Sequence, residues 1–310
     1  MQLGNAAHNA YSEEIAAELG KLGITVWPTF RETREELNAD MVAGNYDMVF
    51  SETWGPPYDP HSYVASWTTP DEAHYSALPT AGINTTQFAA DVNAVLGEMD
   101  ETERQKKWTA ILSSVHDEVL HLPLWYKRIP GLVNNARISG YAPGAQQFDY
   151  PIHKASVVGG GSTTVKVAPG AQAGLFTSVG RLDPHSYRPN EFFANNWVYE
   201  GLVKYDGSTL QPALATVWAS TVNSDGTETV RFTLRTGVKF HDGADFDCSV
   251  VKLNFDHVWA GDLTSPDWHG WYSLPGALSE WSCDGEVFVL STNAPYYPLL
   301  QELSYIRPLR

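Results

Sequence analysis

The chain has 310 residues, with 36 acidic against 20 basic side chains and a formal net charge of -16. That balance excludes a nucleic-acid binder, which needs a basic footprint, and speaks against an anionic membrane surface. Hydrophobic residues make up 43%, so a sizeable core is expected and wholesale disorder is not.

Residues 12–22 place apolar side chains at 15, 16, 19 and 22, the stripe of an amphipathic helix, with Gly23 as its stop. Ile24–Trp27 predicts a strand, residues 31–43 a second helix and Tyr46–Phe50 a buried strand. Together they read as an α/β unit with right-handed crossovers. A helical region follows over 85–117, capped by Thr86 or Asp91, with Trp108, Ile111, Leu112 and Val115 on one face. Residues 119–126 read as extended and broken by Pro123.

Val158-Gly159-Gly160-Gly161-Ser162 is a flexible linker and sets an internal boundary between 1–157 and 163–310. Beyond it, strands are expected at Thr164–Val167, Val203–Tyr205, Thr229–Leu234 and Val287–Leu290. In the third of these, Val230, Phe232 and Leu234 alternate with polar neighbours, which predicts one buried face. Ser224-Asp225-Gly226 reads as a hairpin turn. Val238–Phe240 followed by His241-Asp242-Gly243 reads as a strand and turn, and Asp247 or Ser249 starts a helix to about Val258.

Cys248 and Cys283 are the two cysteines. They allow one bridge in an oxidising compartment or two buried thiols. Met1–Asn5 lacks the basic start and apolar core of a signal peptide, and no apolar run reaches the roughly 18 residues that would span a membrane.

No catalytic constellation stands out: the sequence has no GxSxG, phosphate loop, HExxH or CxxC. His116-Asp117-Glu118 falls on a helix, where adjacent residues diverge, so it reads as a solvated face. Eleven Trp and many carboxylates admit a carbohydrate-active enzyme, but that chemistry needs a carboxylate pair at a defined separation. The expectation is binding without catalysis.

Three stretches carry a family resemblance: Tyr199–Gly207 (Tyr-Glu-Gly-Leu-Val-Lys-Tyr-Asp-Gly), Gln211–Trp218 (Gln-Pro-Ala-Leu-Ala-Thr-Val-Trp) and Phe232–Phe246. They resemble the N-terminal signature of the peptide/nickel family of solute-binding proteins, the receptors of ABC importers, and its nickel-binding members most of all. Thr53-Trp54-Gly55-Pro56-Pro57-Tyr58-Asp59-Pro60-His61 instead resembles that family's C-terminal part. The order is therefore back, then front, with the family's middle missing. The resemblance implies an α/β, periplasmic-binding-protein-like fold of the two-lobed type II, permuted or partial. Residues 1–157 would be the second lobe and its return, and 163–310 the first lobe. Three origins fit that order: a window across tandem copies, a permuted deletion joined at the glycines, or a middle supplied by another chain.

By resemblance the chain captures a metal chelate of the nickel type for an ABC importer permease, in the periplasm or outside the cell. Alternatives are an oligopeptide or dipeptide receptor, and a non-transport interaction protein that kept the scaffold. No cofactor is obligatory; nickel arrives as a small-molecule chelate. Motif matches place Trp54, Tyr58, Tyr187, Trp271 and Arg307 in the cleft. Arg307 is the carboxylate-binding member, since a guanidinium fork suits a carboxylate. Trp268 stands where a second cleft arginine is expected and Phe192 where a methionine is expected. The metal-contacting histidine falls on Glu72, with His74 two residues on as the candidate metal ligand. His61, His185 and His269 also lie in motifs of the cleft region.

Overall fold

A computed structural model describes residues 6–53, 55, 58, 60–70, 72–126, 131–144, 151–160, 163–167, 197–260 and 274–305. Two compact units are present: Met1–Thr53, Tyr63–Val95 and Gln105–Pro123 form the first, and Trp54–Ser62, Leu96–Arg104 and Leu124–Arg310 the second.

The first unit is helical. It is built from α1 (Ala6–Gly20), α2 (Arg34–Ala43), α4 (Ala73–Thr80) and the parts that fall within it of α3 (His61–Ser66), α5 (Thr85–Leu96) and α6 (Glu101–Asp117). Thr33 starts α2 with a capping box: its side chain accepts from the Glu36 amide while the Glu36 carboxylate accepts from the Thr33 amide. Ser76 Oγ on α4 donates to the Met41 carbonyl of α2 at 2.9 Å. The core gathers Met41, Val64, Trp67, Leu78, Phe88, Val92, Val95, Trp108, Ile111 and Val115.

Ile24–Trp27 and Tyr46–Phe50 are not strands. Among the described residues neither segment has a ladder partner, and Trp27 is 83% exposed. A strand exists only where a neighbour takes its amides and carbonyls, so the expected α/β unit is replaced by helices joined through extended chain. The helical region 85–117 is likewise two helices, parted at 97–100. Its caps differ from Thr86 and Asp91: Asn84 Oδ1 accepts from the Gln87 amide, and Asp100 Oδ1 accepts from the Glu103 amide, each at 2.9 Å. Trp108, Ile111 and Val115 are buried as expected, whereas Leu112 is exposed.

The second unit holds the sheets. Short antiparallel ladders join β1 (Ile138–Ser139) to β2 (Ser156–Val157) and β3 (Val203–Tyr205) to β4 (Leu210–Pro212). The main sheet is antiparallel, in the order β5 (Ala215–Val222), β6 (Glu228–Leu234), β8 (Val287–Thr292), β7 (Leu278–Asp284). Val230, Phe232 and Leu234 of β6 are buried; Val230 and Phe232 pair with Leu290 and Phe288 of β8, and Leu234 with Ala215 of β5. The turn at Asn223–Thr227 closes the β5–β6 hairpin, with Gly226 at φ 86°. Lys239 and Asp245 form an isolated bridge around the turn at Gly243. Asp247 caps α7 (Cys248–Ala260), its Oδ1 accepting from the Val250 amide at 3.2 Å. The expected strand at Thr164–Val167 is exposed coil.

Helix α7 lies on the buried face of this sheet. Phe255 meets Phe288 at a ring separation of 4.8 Å, and Trp281 Nε1 on β7 donates to Asp256 at 2.8 Å. A disulfide between Cys248 and Cys283 ties the start of α7 to β7. After α8 (Leu274–Ala277), the chain runs through β7 and β8 into α9 (Leu299–Tyr305), which packs against β3.

Candidate functional site

The second unit contains a buried polar pair. His61 opens α3 and Glu302 lies on α9; they are 3% and 1% exposed, with His61 Nε2 3.2 Å from Glu302 Oε1. Among the described residues, neither Glu302 oxygen nor His61 Nε2 makes a hydrogen bond, so the pair is held by proximity alone. The Tyr297 ring meets His61 edge-on at 5.9 Å and carries the Arg104 guanidinium over its face at 4.3 Å. The Tyr297 amide donates to the Leu96 carbonyl at 3.0 Å. The set ties His61 to Glu302 on α9, and Leu96 and Arg104 to Tyr297 just ahead of that helix. Tyr58, expected in a cleft, is here 7% exposed.

A second cluster sits within the first unit. Tyr63 and Trp67 are one helical turn apart across the end of α3, and His74 lies on α4. The Tyr63 hydroxyl and Ser51 Oγ are 3.0 Å apart, and each lies 3.2 Å from His74 Nε2. Trp67 is nearly parallel to three rings: His74 at 4.9 Å, His121 at 4.6 Å and Phe88 at 6.2 Å. The two imidazoles are 5.1 Å apart with their planes 21° from parallel. Rings on opposite faces of an indole would be separated by two stacking gaps of about 3.5 Å each. The observed separation is smaller, so both imidazoles lie side by side on one face of Trp67.

Burial, and then the neighbouring His121 charge, bring the His74 pKa down to about 4. Burial lowers that of His121 as well. Both rings are therefore neutral near pH 7, the form that can donate a lone pair. Chain direction at the end of α6 delivers His121. Leu120 N donates to the Val115 carbonyl and Val119 N to the His116 carbonyl, a Schellman closure with Val119 in the left-handed region at φ 55°.

Of the residues expected in a cleft, Trp54, Tyr187, Phe192, Trp268, Trp271 and Arg307 lie outside the described residues, as do His185 and His269. His74 is placed, and Tyr63, Trp67, His121 and Ser51, which the sequence did not single out, are brought to it. The one local signal was the spacing of Tyr63 and Trp67 on a helix; the meeting of 74 with 121 had none. An open depression of about 390 Å³, lined by Phe240, His241, Asp242 and Val250, adds only one imidazole and one carboxylate at a turn. Among the described residues, no group of three or more His, Cys, Asp or Glu is placed to hold a metal ion.

Residues 209–308 match the model of the bacterial extracellular solute-binding proteins, family 5 middle. Over 136 residues the chain is 40% identical to the nickel-binding periplasmic protein of Escherichia coli (strain K12), covering 43% of this chain and 24% of that protein. Among solved structures, NikA from Brucella suis in complex with Fe(III)-EDTA is 42% identical, with a TM-score of 0.38, over 43% of this chain and 26% of that one. NikZ from Campylobacter jejuni in complex with Ni(L-His) is 22% identical, with a TM-score of 0.33, over 42% of this chain and 25% of that one. The chain thus spans about a quarter of the length of the proteins it matches.

Proposed function

We propose that the chain is part of an extracytoplasmic receptor that captures a nickel-type metal chelate for an ABC importer, by binding and without catalysis. The observation that carries this is the 40% identity over 136 residues to a nickel-binding periplasmic protein, alongside the family 5 match at 209–308. The Cys248–Cys283 bridge fits an oxidising compartment. No helix among the described residues is long and apolar enough to cross a membrane.

In this proposal Arg307 holds a chelator carboxylate through its planar fork. Trp54, Tyr58, Tyr187, Phe192, Trp268 and Trp271 pack on the chelate, and His74 contacts the metal. The order of the segments, back ahead of front with 158–162 between them, belongs to the same proposal, as does a permease partner. So does a middle contributed by another chain or an adjacent repeat.

Thermal unfolding tests it, with the chain alone, with nickel, with nickel plus free histidine, and with di- and oligopeptides. A ligand that binds only the folded state stabilises it by about 2.7 kcal/mol at a hundredfold excess over its dissociation constant. A rise with nickel plus histidine and none with peptides supports the proposal. A rise with peptides alone makes the chain a peptide receptor, and a cooperative transition that no ligand moves makes it a scaffold without transport.

A further inference from the structure

We propose that His74 and His121 together form an open, two-imidazole site that binds a divalent transition-metal ion directly on the Trp67 platform. It deepens the metal reading of His74 by adding a second protein ligand and by needing no organic chelator.

Four features of the geometry support it. Both imidazoles lie on one face of Trp67 and side by side, so their edges face each other across 5.1 Å between centroids. A metal bonded at about 2.1 Å to one nitrogen of each ring, at a near-tetrahedral angle, sets the centroids about 5 Å apart. Second, His74 is oriented through its far nitrogen. Nε2 lies 3.2 Å from both the Ser51 and the Tyr63 hydroxyl. With the proton on Nε2, donated to that hydroxyl pair, Nδ1 presents its lone pair; fixing a ligand through its other nitrogen is how metal-binding histidines are usually held.

Third, His121 makes ring contacts with Trp67 and His74, and among the described residues its nitrogens have no hydrogen-bond partner. Its lone pair is not spent on the fold. Fourth, the site is reachable: His121 is half-buried, and its neighbour Leu122 is 73% exposed. Two imidazoles do not close a coordination sphere, and no third acidic, thiol or imidazole ligand is placed nearby among the described residues. The remaining positions therefore go to water or to small donors from solution, as in open rather than structural sites. Imidazole donors suit nickel, copper and zinc ahead of magnesium or calcium.

The test uses the whole chain in a buffer that does not chelate, with copper(II), nickel(II) or magnesium chloride and no histidine. Calorimetric titration is expected to show one equivalent of copper or nickel bound and no magnesium. The copper EPR spectrum is expected to carry coupling to two imidazole nitrogens. In His121→Phe, which keeps a ring on Trp67, one nitrogen is lost and affinity falls at least about tenfold, the least that loss of even an outer-shell partner typically costs. In His74→Gln the loss is similar. The wild-type spectrum needs no variant to fold, so it decides alone if either variant fails. A wild-type spectrum without two imidazole nitrogens overturns the site, as does a two-nitrogen spectrum that persists in His121→Phe. If nickel plus histidine raises the unfolding midpoint while metal alone does not bind, the two-imidazole site is wrong and chelate capture stands. If metal alone binds through both histidines but the chelate has no effect, the site stands and chelate capture is wrong.

Discussion

At the scale of single residues, Val119 and His74 carry the clearest consequences. Helices α1, α2 and α4 end in the same Schellman closure as α6, with Gly23, Gly44 and Gly82 at positive φ. Val119 occupies the equivalent position at φ 55°, where a branched Cβ crowds the following carbonyl. Val119→Gly is therefore expected to raise stability by about 1 kcal/mol, the relief exceeding the entropy that glycine adds to the unfolded chain; a urea midpoint that falls would show that the valine is unstrained. His74 works in the opposite direction. Its pKa is about 4 when folded, lowered first by burial and then by His121, against 6.5 for the free side chain. Between those values the unfolded chain binds more protons, so stability is full above about pH 6.5 and is lost as pH falls toward 4. The expected loss is about 2 kcal/mol once residual exposure is allowed for. Urea midpoints at pH 7.5 and 5 check it: the drop should shrink in His74→Gln, and an equal drop in that variant would remove His74 as its source.

Among the elements, β6 and α7 were legible in the sequence because their signals are local. The alternation of Val230, Phe232 and Leu234 names a strand with one buried face, and Asp247 with Ser249 announces a helix start. Ile24–Trp27 carries the same β-branched and aromatic composition, yet it is not a strand, because composition cannot supply a ladder partner. The His61–Glu302 pair was equally invisible, since its members lie far apart in the chain. Removing one partner strands a buried polar group, so Glu302→Ala is expected to cost about 3–5 kcal/mol. Replacing both, His61→Leu with Glu302→Met, should cost markedly less. Comparing the three by chemical unfolding separates the two cases; a double variant as unstable as the single one would mean that packing, not the stranded polar group, sets the cost.

For the molecule as a whole, the two units keep separate cores and separate weak points. The first depends on a neutral His74 among aromatic rings; the second is stapled by Cys248–Cys283, which encloses a separation of 35 residues. A bridge closing a loop of that length stabilises by about 3–4 kcal/mol, chiefly by restricting the unfolded chain. Each unit is expected to unfold as its own cooperative block, and two perturbations should then address them separately. Reduction with a phosphine at neutral pH lowers only the transition of the second unit. Lowering the pH from 7.5 to 5 lowers chiefly that of the first, by the part that His74→Gln removes. The control matters because a net charge of -16 makes every carboxylate respond to acid to some degree. Differential scanning calorimetry on the wild type, the reduced chain and His74→Gln reads all three. If reduction and acid move one shared transition by the same amount, the two cores unfold together, and the staple on β7 stabilises the helical unit as much as its own.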